Sequence, residues 1–356
     1  MTNPGPGMAR LLPFTLAIGI LALTVVLLVQ GRELLIPIAL AVLIWYLINA
    51  IARGVDHMIP GYELPHWLGL SVALIIMAFA FWGLGKMIGG SIAGVSEAAP
   101  LYQQNLDDLI RRAALFIGVD EVPTMADVFD QVGLQSIITR IAETAASVAG
   151  RIGIILIYVM FLLLEEKSFN RKLSALFPDK EREASVRKIL HKIQGDVQTY
   201  LALKTMMSVL TGAVSYAVLI MIGVDFAAFW AFVIFLLNFI PTIGSLVGVI
   251  FPALLTIIQF NALGPFVIVL ASLGATQFVI GNVLEPRLMG SSLNLSPLVM
   301  ILSLSLWGQI WGIVGMFLSV PIMVMLMIVF AHLPYTRPVA IAMSSNGRID
   351  EYISKD

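Results

Sequence analysis

Five runs of the chain, residues 11–29, 34–51, 67–84, 145–164 and 206–222, are apolar for about as long as a helix needs to cross a bilayer. A hydrocarbon core of about 30 Å is crossed at about 1.5 Å per residue, so roughly 20 residues suffice. A chain with five such runs folds around lipid or not at all. The remaining composition agrees, since 59% of the residues are apolar and 12% charged, against about 45–50% and about 25% in a soluble domain. The first run is too long for the apolar part of a signal peptide and no small-residue cleavage site follows it, so it is expected to stay as helix 1.

Charge gives the expected orientation. Residues 85–144 form a polar stretch with Lys86, Arg111, Arg112 and Arg140 against eight acidic residues. Leu106, Leu109, Ile110 and Ala113 recur there at helical spacing, which predicts an amphipathic helix. Residues 165–204 carry nine of the 21 basic residues, and the positive-inside rule puts them in the cytoplasm. Counting back, the N-terminus with Arg10 and Arg53 is inside and the acidic segment outside. Within the basic stretch Val186, Ile189, Leu190, Ile193, Val197 and Leu201 make one apolar stripe, and Asp179 after Pro178 is a candidate N-cap. Such a helix lies along the membrane surface or packs under the bundle; a regulatory or partner-binding role is the other reading.

Two further apolar blocks, 226–260 and 297–331, have an awkward length. Each has 35 residues, more than one span and fewer than the roughly 40 that two spans and a turn would need. The first is interrupted at Asn238, Pro241, Thr242, Gly244 and Ser245, where proline lacks an N–H and glycine loosens the helix. Its halves, 226–237 and 246–260, would be about 18 and 22 Å long. The second is interrupted between Ser305 and Gly312, leaving 297–304 as a short first half. Broken helices at membrane depth survive where protein or a water-filled cavity satisfies the backbone, and a matched pair of them marks transporter binding sites. The expected fold is therefore all-α, a polytopic membrane protein with two Gly/Pro-broken, re-entrant helical hairpins in an inverted-repeat C-terminal half. Its expected parts are helices 1–3 in 1–84, the extracytoplasmic segment 85–144, helix 4 in 145–164 and the basic region 165–205. A transport core follows in 206–333, with helix 5, hairpin 226–260, crossing helix 265–283 and hairpin 297–331, and then a cytoplasmic tail, 334–356. Ordinary kinked helices in a static bundle are the competing reading.

Chemistry-bearing motifs are few. The chain has no cysteine and four scattered histidines, and it contains neither HExxH, GxxxxGK[ST] nor GxSxG. Neither an enzyme nor a cofactor is expected, and a net charge of −1 argues against nucleic acid as a partner. Polar residues in the C-terminal half gather at the breaks: Asn238, Thr242 and Ser245 at the first; Gln277, Asn282, Glu285 and Arg287 at the end of the crossing helix; Ser303, Ser305 and Gln309 at the second. Neutral groups dominate, and burying them costs far less than burying ions, which suits an uncharged polyhydroxylated solute. For each residue a helix-to-helix hydrogen bond is the plain alternative. Glu285 and Arg287, just before a turn ending at Gly290, are either interfacial anchors or gate charges that pair and release. The pairs Gly85/Gly89, Gly244/Gly248 and Gly308/Gly312 allow close helix approach.

Three runs carry a resemblance: Asn238-Phe-Ile-Pro-Thr-Ile-Gly-Ser245, Gly281-Asn-Val-Leu-Glu-Pro-Arg-Leu-Met-Gly290, and residues 302–321 ending in Gly-Met-Phe-Leu-Ser-Val-Pro. With Tyr200-Leu-Ala-Leu-Lys204 and Gly223-Val, they resemble the autoinducer-2 exporter family of bacterial membrane proteins over about residues 195–330. The resemblance implies an inner-membrane homo-oligomer, a pentamer among the forms it admits, that moves autoinducer-2 by an elevator-like mechanism. It puts Asn238, Pro241, Gly244, Ser245, Asn282, Glu285, Arg287, Gly308, Gly312 and Pro321 on family-type positions. Two other functions stay open. Some members are sodium(or lithium)/proton antiporters, although this chain sets no acid clearly at mid-membrane, Glu165, Asp225 and Glu285 lying near expected helix ends. The other is a non-transporting scaffold for envelope partners.

Overall fold

The computed structural model describes residues 6–58, 66–117, 134–289 and 294–349. Gly290, residues 118–133 of the acidic segment and the tail beyond 349 lie outside them, as do the side chains of Arg10 and Arg53. Nearly every described residue is helical: α1 (Pro6–Gln30), α2 (Arg32–Met58), α3 (His66–Ile117), α4 (Leu134–Leu176), α5 (Lys180–Ile222), α6 (Ala227–Leu237), α7 (Ile243–Phe260) and α8 (Leu263–Phe278). A π-helical stretch, Val279–Leu284, joins α8 to the short α9 (Glu285–Met289), and α10 (Pro297–His332) and α11 (Arg337–Met343) follow.

Several helices are longer than the apolar runs that seed them. A change of composition does not end a helix; a breaker or a cap does. Pro178 and Asp179 supply both between α4 and α5, and the Asp179 carboxylate accepts from the Glu181 N–H at 3.0 Å. No proline interrupts the next 43 residues, so the basic amphipathic stretch and the apolar run 206–222 make one helix. It does not lie flat on a membrane surface: Ile193, Val197 and Leu201 are buried in a core with α10, the packed alternative for that stripe. At its far end Gly223, at φ 80°, turns the chain in the left-handed region, and Val224 N–H reaches back to the Leu219 carbonyl at 2.9 Å, closing the α5 terminus.

Among the described residues five helical stretches are long and apolar enough to cross a membrane: Arg32–Ala52, Lys180–Ile222, Ile243–Phe260, Leu263–Leu288 and Pro297–His332. Large apolar side chains stay exposed along them and along α1, including Leu16, Ile20, Val209, Met221, Val267 and Phe278. In water such a band would drive association; in a bilayer it faces lipid, and the chain is built as a polytopic membrane protein.

At both expected breaks the chain reverses. In the first block a Cβ on Gly244 would overlap the Leu237 carbonyl, and one on Gly248 would touch Ile234 at 3.2 Å, so α6 and α7 pack antiparallel. In the second the reversal sits at Gly312, with φ 64° and ψ −144°. A Cβ on Gly308 would meet the Met316 side chain at 2.9 Å, and one on Gly315 would overlap the Trp307 carbonyl; those residues would lie about 12 Å apart in a straight helix. Two arm lengths differ from expectation. The second arm of the first reversal starts at Ile243 and has 18 residues, about 27 Å, close to a full crossing. The first arm of the second reversal runs past residue 304 to Trp311, because Ser305 and Gly308 continue the helix and only Gly312 leaves it.

Three cores hold the bundle. One joins α2, the first half of α5, α10 and the C-terminal segment; a second joins the other half of α5 to α6, α7 and α8; a third packs α2 on α4. Helix α5 is thus the shared axis of both reversals. The segment after α11, expected only as a tail, folds back on the start of α10: Ser296 N–H donates to the Met343 carbonyl at 2.9 Å, and Asn294 Nδ2 to the Arg348 carbonyl at 2.6 Å.

Candidate functional site

Lys204, Ser208, Thr211 and Ser215 recur on α5 at intervals of four, three and four residues, which sets them on one face. All four are buried, as are Gln198 and Tyr200 before them. A polar stripe inside an otherwise apolar helix needs partners, since an unmet buried polar group costs about 1–3 kcal/mol. Two come from the breaks. Asn238, at the end of α6, donates from Nδ2 to Ser208 Oγ at 3.0 Å. Glu285, at the start of α9, accepts from Lys204 Nζ through Oε1 at 2.6 Å. Lys204 and Ser208 stand one turn apart, so both elements dock on the same turn of α5.

Local structure explains why these two groups reach α5. Asn238 ends a helix that cannot continue into Pro241, and the chain then makes a tight turn in which Ile243 N–H bonds the Pro241 carbonyl at 2.6 Å. Thr242 sits at its centre with φ 63° and ψ −57°, the strained γ-turn geometry; Ser245 Oγ accordingly caps the Thr242 carbonyl at 2.8 Å. Glu285 follows six residues of π-helix. A π segment carries extra backbone per turn and is frequent at functional positions, and here it sets the rotation at which the carboxylate leaves the helix. The reversals also touch each other, the Phe239 and Phe317 rings lying 4.8 Å apart.

The Lys204 side chain is 7% exposed and that of Glu285 19%. Among the described residues Lys204 is the only charged residue that is buried. A pair so enclosed adds little net stability, yet removing one partner strands the other charge at a cost of about 3–5 kcal/mol. Gln277, two turns before Glu285, is buried with Nε2 unpartnered, and Ser215 Oγ on the α5 stripe is likewise buried and unpartnered. Among the described residues no group of three His, Asp or Glu side chains could hold a metal ion.

The other expected site residues fall elsewhere. Thr242, Asn282, Arg287, Ser305, Gln309 and Gly312 are exposed, and Pro241 and Ser245 half-buried; Ser305 bonds only the Ile301 carbonyl of its own helix. Ser303 is buried but turns back to the Met300 carbonyl. Gly308 sits inside the second reversal, and Gly244 and Gly248 inside the first, where the small residues let two arms of one hairpin meet. Pro321 lines an apolar cavity of about 130 Å³ with Leu43, Tyr46, Val197 and Met325. The α5 stripe itself had a signal in the sequence. Lys204 counts there as one of nine orienting charges, but its four-three-four spacing to Ser208, Thr211 and Ser215 continues into the apolar run.

A second polar cluster lies at the opposite end of α5. Tyr102 Oη on α3 donates to Asp225 Oδ2 at 2.7 Å; burial first, and then this bond to a carboxylate, raise the phenol well above its ordinary pKa. Asn105 Nδ2 donates to the carbonyls of Ile258 and Gln259 at 2.9 and 3.2 Å. Gln259 in turn accepts from the Asp225 N–H at 2.9 Å and donates to the Gly223 carbonyl at 2.8 Å.

Known proteins share this layout in sequence. The profile of the AI-2E family of transporters matches residues 16–334. The AI-2 transport protein TqsA of Escherichia coli K12 is 30% identical over 321 residues, 88% of this chain and 90% of that protein. A Haemophilus influenzae protein with a provisional transport-protein name is 27% identical over 314 residues, 86% of this chain and 88% of its own length. The similarly named YhhT of Escherichia coli K12 is 28% identical over 261 residues, 72% of this chain and 73% of that protein.

Proposed function

Because the chain belongs to the AI-2E family of transporters, we propose that it exports a small, polar, uncharged solute, and that autoinducer-2, the solute in the name of TqsA, is its substrate. The observation that carries this reading is the docking of Asn238, at the first chain reversal, on the buried polar face of α5. Neutral donors and acceptors beside a broken helix suit a hydroxyl-rich molecule, which loses water without the penalty of a bare ion. Both reversals are re-entrant hairpins of an inverted repeat, and the α6–α9 unit slides against α5 in an elevator-like alternation between two sides. The N- and C-termini are cytoplasmic in the bacterial inner membrane, and the protein works as a homo-oligomer whose protomers meet through part of the exposed apolar band.

Labelled autoinducer-2 in proteoliposomes, with and without imposed sodium and proton gradients, tests the reading. Uptake that saturates with concentration is expected; wild-type vesicles no faster than protein-free ones would refute it. Sodium/proton antiport is the second reading, supported by the burial of Glu285 against Lys204, because an enclosed carboxylate can exchange a proton for a metal cation. A pH probe in the same vesicles, responding to sodium in the absence of organic solute, would favour it.

A further inference from the structure

Lys204 and Ser208 are each held by a group from an element that the transport reading sets in motion. The Glu285 carboxylate takes the ammonium and the Asn238 amide takes the hydroxyl. We infer that Lys204 and Ser208 are the solute-recognition pair of this transporter, and that Glu285 and Asn238 occupy their places only while no solute is bound. The solute class follows from the two groups: a compact polyol or hydroxy-carbonyl compound that can present one oxygen to each of them. One oxygen accepts from the ammonium and the other shares a proton with the hydroxyl. This inference rests on the transport reading and assigns its specificity to named side chains.

Three observations separate a place-holder from a structural brace. An enclosed ion pair is a poor brace, since apolar residues of similar volume commonly do as well. Unmet hydrogen-bonding capacity lies along the same two elements: Gln277 Nε2, about 12 Å of helix before Glu285, and Ser215 Oγ, about 16 Å beyond Lys204 on the same face of α5, are both buried without partners. Third, the carboxylate is mounted directly after the π-helical stretch Val279–Leu284. Relaxing that stretch to α-helix tightens its turns, which over six residues rotates Glu285 by about 100° about the helix axis. The release of Lys204 therefore has a built-in route, and solute oxygens take over the ammonium so that no bare charge is left buried.

Proteoliposome uptake of labelled autoinducer-2 by full-length protein tests this with Lys204→Met, Glu285→Gln and the double variant, alongside thermal midpoints in detergent. A place-holder predicts opposite effects of the two single changes: KM rises on the order of 10- to 100-fold in Lys204→Met, which removes a charged donor, and falls in Glu285→Gln, which weakens the competitor. The double variant has no stranded charge; it is expected to melt near the wild type and still to show the raised KM. Equal losses in both single variants with uptake restored in the double variant would mark the pair as a brace and overturn the inference while leaving the transport reading intact. Wild-type protein that moves no autoinducer-2 would overturn the transport reading and this inference with it.

Discussion

At the scale of single residues the two reversals are made by opposite means. Gly312 adopts φ 64°, ψ −144°, a region essentially closed to residues with a Cβ, so Gly312→Ala is expected to cost on the order of 1–3 kcal/mol. Thr242 has positive φ with a β-branched side chain, and Thr242→Gly should relieve strain of similar size. Glycine gives back about 0.5–1 kcal/mol through the unfolded chain, so the net gain is about 1 kcal/mol. Thermal midpoints in detergent check both: the first variant melts lower and the second higher, and movement in the same direction would contradict the assignment. Strain kept at Thr242, beside Asn238, is what a site that must change shape would retain. Acid sensitivity also belongs at this scale. Ser174 first, then Arg187, hold the Glu183 carboxyl below its ordinary pKa, at the junction of α4 and α5. A depressed folded pKa contributes stability that is fully present above the unfolded value of about 4.3 and fades as pH falls through the folded value. The midpoint gap between wild type and Glu183→Gln should therefore hold at neutral pH and close below about pH 4.3; a gap independent of pH would place the stabilisation elsewhere.

At the scale of elements, the outer part of α3 is clasped to the end of the first hairpin. The helix has 52 residues, about 78 Å, long enough to carry Tyr102 and Asn105 to the ends of α5 and α7. Asn105 satisfies the last carbonyls of α7 and Tyr102 binds the turn after α5. Replacing both, by Tyr102→Phe and Asn105→Ala, removes bonds worth about 1 kcal/mol each. Hydrogen exchange of amides 223–226 and 258–261 should quicken while that of the α10 core stays slow; unchanged exchange at the turn would mean that the clasp is incidental. The helices were legible in the sequence wherever apolar periodicity met a breaker, as at Pro178, Asn238 and Gly312. Their joints were less so. One apolar run ends at residue 84 and another starts at 206, but helical periodicity persists through the adjoining polar sequence, and α3 passes Pro100 without ending. Half of the site was visible for the same reason. Asn238 and Glu285 flank breakers, whereas Lys204 and Ser208 sit inside an unbroken helix, where a lone lysine reads as a topological charge until the structure shows which side chain it meets.

At the scale of the whole molecule, the proposed membrane orientation rests on the distribution of charge. Residues 165–204 are rich in lysine and arginine and lie at the junction of α4 with the first half of α5, while Tyr102 and Asn105 of α3 bind the turn at the opposite end of α5 and the end of α7. Since each buried polar residue of the site lies on or against α5, this orientation also fixes which end of the site opens to which side. The Lys204 pair is nearer the basic end of α5, which the proposed orientation makes cytoplasmic, and the Tyr102 to Asp225 clasp lies at the opposite end. If the proposed function holds, export begins at Lys204, where the solute displaces Glu285. Because the chain has no cysteine, single introduced thiols report topology without background. In intact cells Asp108→Cys, on the exposed face of α3, should react with an impermeant maleimide, and Ser185→Cys, near the start of α5, only after permeabilisation. The reverse pattern would invert the protein in the membrane, put the Lys204 pair at the outer mouth, and turn the same site into one built for uptake.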